Sequence, residues 1–219
     1  MAALSGLVYW CWTATFTLIF RGIFRTSIIG ADRVPRTGGL LVVSNHISFV
    51  DPPLMAAVLP RRVIYMAMVE LFRKPMLGTL MRLIDAIPVD RLGTDRRAAR
   101  LAIRRLQEGR CVVIFPEGGI RLTKQSVLGG DPEFKPGAGL IALLGGAAIL
   151  PVVVRDTRKP YTWRNWVPFG RGGLRRETMT VAMGCPFCLW IPNSMPSDER
   201  RQLARQTLRE QLLKTVKLV

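Results

Sequence analysis

Leu40-Leu41-Val42-Val43-Ser44-Asn45-His46-Ile47-Ser48-Phe49-Val50-Asp51-Pro52-Pro53 begins with an apolar run that stops at a serine and an asparagine. A short run of this kind, closed by polar and turn-forming residues, reads as a β-strand over 40–44. The same signature returns at 63–68, 86–89, 111–115, 149–154 and 179–183. Between these runs, helical patterns cover 94–108, 138–144 and 198–217. Strands alternating with helices predict an α/β fold: a single domain with a largely parallel central sheet flanked by helices. In that frame His46 falls just past the carboxyl end of a strand, where open α/β sheets carry their ligands.

His46 is the only histidine of the chain, and Asp51 follows five residues later. Imidazole is the side chain best suited to move a proton near neutral pH, and a carboxylate at its other nitrogen fixes the tautomer. The same stretch also fits a plain helix start, with Asp51 as N-cap and Pro52 as first helical residue. In a regular helix, positions five apart lie about 140° around the axis, so the two side chains meet only if the chain turns between them. Two further strand ends carry charge, at Ile87-Pro88-Val89-Asp90-Arg91 and at Phe115-Pro116-Glu117-Gly118-Gly119, and Ile149-Leu150-Pro151-Val152 opens a third candidate strand.

Composition narrows the class. The 219 residues suffice for one full core, and a chain 49% hydrophobic and 21% charged is not a disordered one. Its 32 Lys and Arg against 15 Asp and Glu leave a formal charge of +17, a surface that seeks phosphates of nucleic acid, lipid headgroups or small molecules. Four cysteines, of which only Cys185 and Cys188 have a suggestive spacing, fall short of a zinc set and fit a reducing compartment. No metal is implied by this ligand count.

Residues 1–20 carry no charge, and Arg21 and Arg25 follow. The length is about the minimum for a spanning helix, and the absence of a basic leader or a small-residue cleavage site argues against a signal peptide. Trp10, Trp12, Thr13, Thr15 and Thr17 put interfacial and polar groups mid-stretch, so a helix lying in one leaflet competes with a spanning one, and with a helix buried in a soluble core. The expected division is a membrane-associated helix over 1–28 and a catalytic domain over 29–219. Two more segments are candidates for a bilayer surface: 69–83, mixing Leu71, Phe72, Met76 and Leu77 with Arg73 and Lys74, and the basic, aromatic stretch 155–176, read as a surface excursion.

Taken in order, N-H-x-x-x-x-D, I-P-V-D-R, F-P-E-G and an apolar run with a proline near its start resemble the glycerolipid acyltransferase family, over roughly 30–155. The likeness is to bacterial 1-acyl-glycerol-3-phosphate acyltransferases. It implies that His46 is the general base and Asp51 its orienting partner, with no covalent acyl-enzyme. It implies substrate-binding roles for Asn45, Arg91, Glu117, Gly118 and Gly119, and places Pro151 on the acyl-donor side. The family's third block has arginine three residues after the glutamate, where this chain has Ile120, so either Arg121 or Lys124 reaches the phosphate from a shifted loop or Arg91 does more of the work.

The resemblance further implies lysophosphatidic acid as acceptor, acyl-CoA or acyl carrier protein as co-substrate and no cofactor. It places the chain on anionic lipid, at the cytoplasmic face of the bacterial inner membrane. A basic lipid- or nucleic-acid-binding protein that kept the fold without turnover is the rival from another class, with nucleic acid the less favoured partner. Dinucleotide, P-loop and nucleophile-elbow motifs are missing: Gly137-Ala138-Gly139 would need a glycine where Ala142 stands.

Overall fold

The computed structural model describes residues 6, 9–11, 13–15, 17–18, 25–90, 95–121, 125–130, 132–157 and 178–219. Seven strands form one sheet: β1 (Arg25–Ile29), β2 (Leu40–Ser44), β3 (Val63–Met68), β4 (Ile87–Val89), β5 (Cys111–Ile114), β6 (Ala148–Arg155) and β7 (Thr178–Met183). Their spatial order is β1-β7-β6-β2-β5-β3-β4. Strands β6, β2, β5, β3 and β4 pair in parallel, while β7 runs antiparallel to β6 and takes β1 parallel to itself. The largely parallel sheet is thus as expected, with a reversed pair at one edge.

The reading of 1–28 as one N-terminal segment needs correction, because the outermost strand occupies Arg25–Ile29. Only Ile28 and Ile29 of Arg-Thr-Ser-Ile-Ile are apolar, so the run lacks a buried strand's signature; its pairing with β7 decides its conformation. The other strands lie within a residue of their expected bounds.

Every residue of β2 is buried, as the central strand of a sheet covered on both faces must be. Leu40 and Val42 enter one core, and Leu41 and Val43 the other. The first core is covered by α1 (Asp51–Val58), through Leu54 and Met55, and by the pair α2 (Val69–Arg73) and α3 (Pro75–Leu83), through Phe72, Leu80 and Met81. The second core is covered by α4 (Arg96–Gln107), α5 (Pro136–Leu144) and α6 (Ser197–Val216). Asp95 caps α4, accepting from the Ala98 N–H at 2.9 Å.

Gly139 has a packing role rather than a nucleotide-binding one. A Cβ there would stand 2.6 Å from the Arg201 carbonyl oxygen, so only glycine lets α5 approach α6 this closely.

Ahead of β1 the chain is helical at residues 6, 9–11, 13–15, 17 and 18. Tyr9 is fully buried in the first core, accepts a hydrogen bond from the Val63 N–H at 2.9 Å and lies under the Arg62 guanidinium. Burial pushes its hydroxyl up to about 12, which keeps it neutral. Tyr9 and Thr13 face inward, while Trp10, Cys11, Ala14 and Leu18 are exposed. Among the described residues no helix is long and apolar enough to cross a membrane.

Candidate active site

Three adjacent strand ends build the site. β2 leads into His46, β5 leads into Glu117, and β6 leads into Asp156 and Thr157, all on the carboxyl rim of the parallel strands. The His46 Nδ1 stands 2.9 Å from Asp51 Oδ2, and the same oxygen accepts the backbone N–H groups of Ile47 and Ser48, both at 2.8 Å. The carboxylate therefore reaches back toward the histidine instead of forward into its helix. The N-cap of α1 is Val50, which makes no side-chain cap, so the capping alternative is not realised. The turn exists because Ser48 holds it: its carbonyl accepts from the Asp51 N–H and its hydroxyl from the Val50 N–H.

Asp51 is fully buried and His46 nearly so, at 6% exposure. A nitrogen facing a carboxylate in a dry site carries the proton, so Nδ1–H donates to Asp51 and Nε2 keeps its lone pair. Among the described residues Nε2 has no hydrogen-bond partner. Phe115 stacks on the imidazole at 4.2 Å between ring centres and 22° between planes, and fixes the ring from its flat side.

Glu117 is almost wholly buried, and its two oxygens accept main-chain N–H groups from His46 at 3.2 Å and Val127 at 3.0 Å. Burial raises its pKa from the usual value, outweighing these donors, which favour the charged form. Expected as a substrate ligand, it is placed as the tie between the His46 backbone and the 127–129 turn. Glu117→Gln puts an amide NH2 against one of these N–H donors; loss of about 1–3 kcal/mol of stability, read by thermal unfolding, is the expected result. An unchanged melting curve would remove the tie.

The remaining candidates sort by position. Arg121 is half-buried beside His46, its N–H donating to the His46 carbonyl at 2.8 Å and its guanidinium to the Glu117 carbonyl at 3.2 Å. Gly118 sits at φ +74°, a left-handed turn residue backed by the Lys135 stem, and Gly119 is half-buried next to it. Arg91 and Lys124 lie outside the described residues.

Two expectations need correction. Asn45 is fully buried, and its amide is committed to β6: the side-chain oxygen accepts from the Val154 N–H at 2.8 Å and the NH2 donates to the Val154 carbonyl at 2.9 Å. It braces two strand ends rather than meeting substrate. Pro151 is buried inside β6, in register with Val43, and its carbonyl accepts from the Gly184 N–H beyond the end of β7.

A cavity of about 150 Å³ lies next to Phe115 and Gly118, lined also by Met66, Asp95, Lys135 and Ile141. Its floor belongs to the second core, and Phe115 separates it from the imidazole. Among the described residues no group of three or more His, Cys, Asp and Glu could hold a metal ion.

Thr157 escaped the sequence reading. Its hydroxyl donates to Asp51 Oδ1 at 2.6 Å, and the residue is fully buried where a surface excursion was expected to start. Residues 158–177, the rest of that stretch, lie outside the described residues.

This geometry agrees with three comparisons. The chain is 27% identical over 186 residues to 1-acyl-sn-glycerol-3-phosphate acyltransferase of Bacillus subtilis, spanning 84% of this chain and 85% of that protein. It is 31% identical over 133 residues to the protein of the same name from Borreliella burgdorferi, 59% of this chain but only 51% of that one. The crystal structure of the 1-acyl-sn-glycerophosphate (LPA) acyltransferase from Thermotoga maritima shares the fold, with a TM-score of 0.63 over 96% of this chain and 78% of that one, at 21% identity. The family model described as Acyltransferase matches residues 25–155, more than half of the molecule and the part that holds His46, Asp51 and Glu117, so the chain belongs to the acyltransferase family and is an acyltransferase enzyme.

Proposed function

We propose that the enzyme moves a fatty acyl group from acyl-CoA or acyl carrier protein to the 2-hydroxyl of 1-acyl-glycerol-3-phosphate, giving phosphatidic acid. The observation that carries this is the buried His46–Asp51 pair, with Nε2 as its only uncommitted nitrogen. His46 Nε2 takes the proton of the acceptor hydroxyl as its oxygen attacks the thioester carbonyl. The tetrahedral adduct then collapses, the C–S bond breaks, and the leaving thiolate recovers the proton from the imidazolium. Asp51 stabilises the cation formed in between, and no acyl group is attached to the protein. A positioned base contributes on the order of 10²–10⁴ in rate.

The acceptor phosphate is assigned to Arg91, with Arg121 beside the base and the Gly118-Gly119 turn as further contacts. The names of the Bacillus and Borreliella relatives support this acceptor. The cavity next to Phe115, lined by apolar Met66, Ile114 and Ile141 together with charged Asp95 and Lys135, suits an amphiphile.

The test is transfer of labelled acyl groups from both donors to a panel of lysophospholipids, with Arg91→Ala beside the wild type. Arg91→Ala is expected to raise the KM for lysophosphatidate roughly tenfold or more while kcat changes little, since it removes uniform binding of a dianion. Equal kinetics for the two proteins would sink the phosphate assignment.

The chain is further assigned to the cytoplasmic face of the bacterial inner membrane as an interfacial protein. Its N-terminal helical residues are docked by Tyr9 and turn Trp10 and Leu18 outward, an apolar face turned away from the domain. Cosedimentation of the full chain with anionic vesicles, and not with neutral ones, is the expected result; equal partition to both would remove the electrostatic part of the assignment.

A further inference from the structure

We propose that Thr157 is a positioning residue for the acyl transfer: its hydroxyl fixes the rotation of the Asp51 carboxylate and thereby selects the His46 tautomer that can accept a proton. The inference rests on the reaction proposed above.

Asp51 Oδ2 already receives three donors, from His46, Ile47 and Ser48. The torsion that turns a carboxylate about its Cβ–Cγ bond is soft and nearly two-fold, so donors on one oxygen alone leave the group free to pivot or exchange its oxygens. The Thr157 hydroxyl, 2.6 Å from Oδ1 and fully buried with its acceptor, closes that freedom. Among the described residues Thr157 is the donor to Oδ1, and it arrives from the end of a strand more than a hundred residues away in sequence.

Its placement is prepared by the residues that lead into it. Val154, three residues earlier, is clamped by the Asn45 amide through two hydrogen bonds. Asp156, one residue earlier, holds φ +65°, a left-handed conformation that non-glycine residues seldom adopt, and it directs the chain off the end of β6 onto the dyad. A closed circuit results: His46 to Asp51 to Thr157, back along the chain to Val154, across to Asn45, and by one peptide bond to His46. A threonine that only filled space would need neither the clamp nor the unusual backbone.

The test uses the fact that His46 is the only histidine, so histidine-labelled full-length protein in detergent micelles gives one imidazole signal set. Thr157→Ser and Thr157→Ala lose the same methyl and differ only in the hydroxyl, so their comparison stands even where Thr157→Val fails to fold. Wild type and Thr157→Ser are expected to show the Nδ1–H tautomer with a slowly exchanging proton. Thr157→Ala is expected to show a tautomer mixture, with kcat lowered about ten- to a hundredfold and KM unchanged. Wild-type imidazole signals and kcat in Thr157→Ala would overturn the proposal, as would equal losses in the Ser and Ala variants. The spectrum needs no substrate, so wild-type protein that transfers no acyl group overturns the acceptor assignment while the imidazole signals still decide the role of Thr157.

Discussion

Replacement of His46 by alanine is expected to lower kcat for acyl transfer by about 10²–10⁴-fold while the protein stays folded. The bonds that hold this loop to its neighbours are main-chain ones: the residue's N–H donates to Glu117 and its carbonyl accepts from the Arg121 N–H. Alanine keeps both. What it removes is the imidazole stacked on Phe115, and with it the group able to take the acceptor's proton. Side-by-side initial rates with acyl-CoA and lysophosphatidate decide the matter. Turnover above a tenth of wild type in the alanine variant would mean that the base lies elsewhere.

Asp51→Asn is expected to cost on the order of 10³–10⁴ in kcat, the scale on which an imidazole's orienting carboxylate acts in other enzymes. Its amide oxygen can occupy the Oδ2 position and keep the Ile47, Ser48 and His46 donors. The NH2 then meets the Thr157 oxygen, which can turn to accept it. Packing and turn geometry therefore survive, and the loss isolates the negative charge that stabilises the imidazolium in the transition state. Thermal unfolding recorded with the kinetics separates the two roles of this residue. A variant with wild-type turnover, or one lost only because it no longer folds, would return Asp51 to a purely structural part.

Much of this was legible in the sequence because the signals were local. Leu40–Ser44 and Val63–Met68 announce themselves as apolar runs closed by polar residues, and their burial on both faces follows from a sheet sandwiched between helices. The pairing of His46 with Asp51 was readable from spacing plus the two prolines, although nothing local distinguished it from a capped helix start. The failures share a cause as well. The resemblance gives Asn45 a substrate role, and only the approach of β6 shows its amide spent on Val154. The resemblance gives Glu117 a substrate role too, yet the two N–H groups it accepts come from residues 71 and 10 positions away. Thr157, an ordinary residue at the end of an ordinary strand, carries no pattern at all. β1 was missed because its partner β7 supplies what its own five residues lack.

The circuit from Asn45 to Val154 and from Asp51 to Thr157 also sets an order of events during synthesis. The reacting pair occupies the first quarter of the chain, but its bracing is made by residues that leave the ribosome about a hundred positions later. Until β6 has been translated and has inserted beside β2, the carboxylate lacks its Thr157 donor and the loop lacks its anchor. The support of His46 is therefore completed only late, as a property of the assembled sheet.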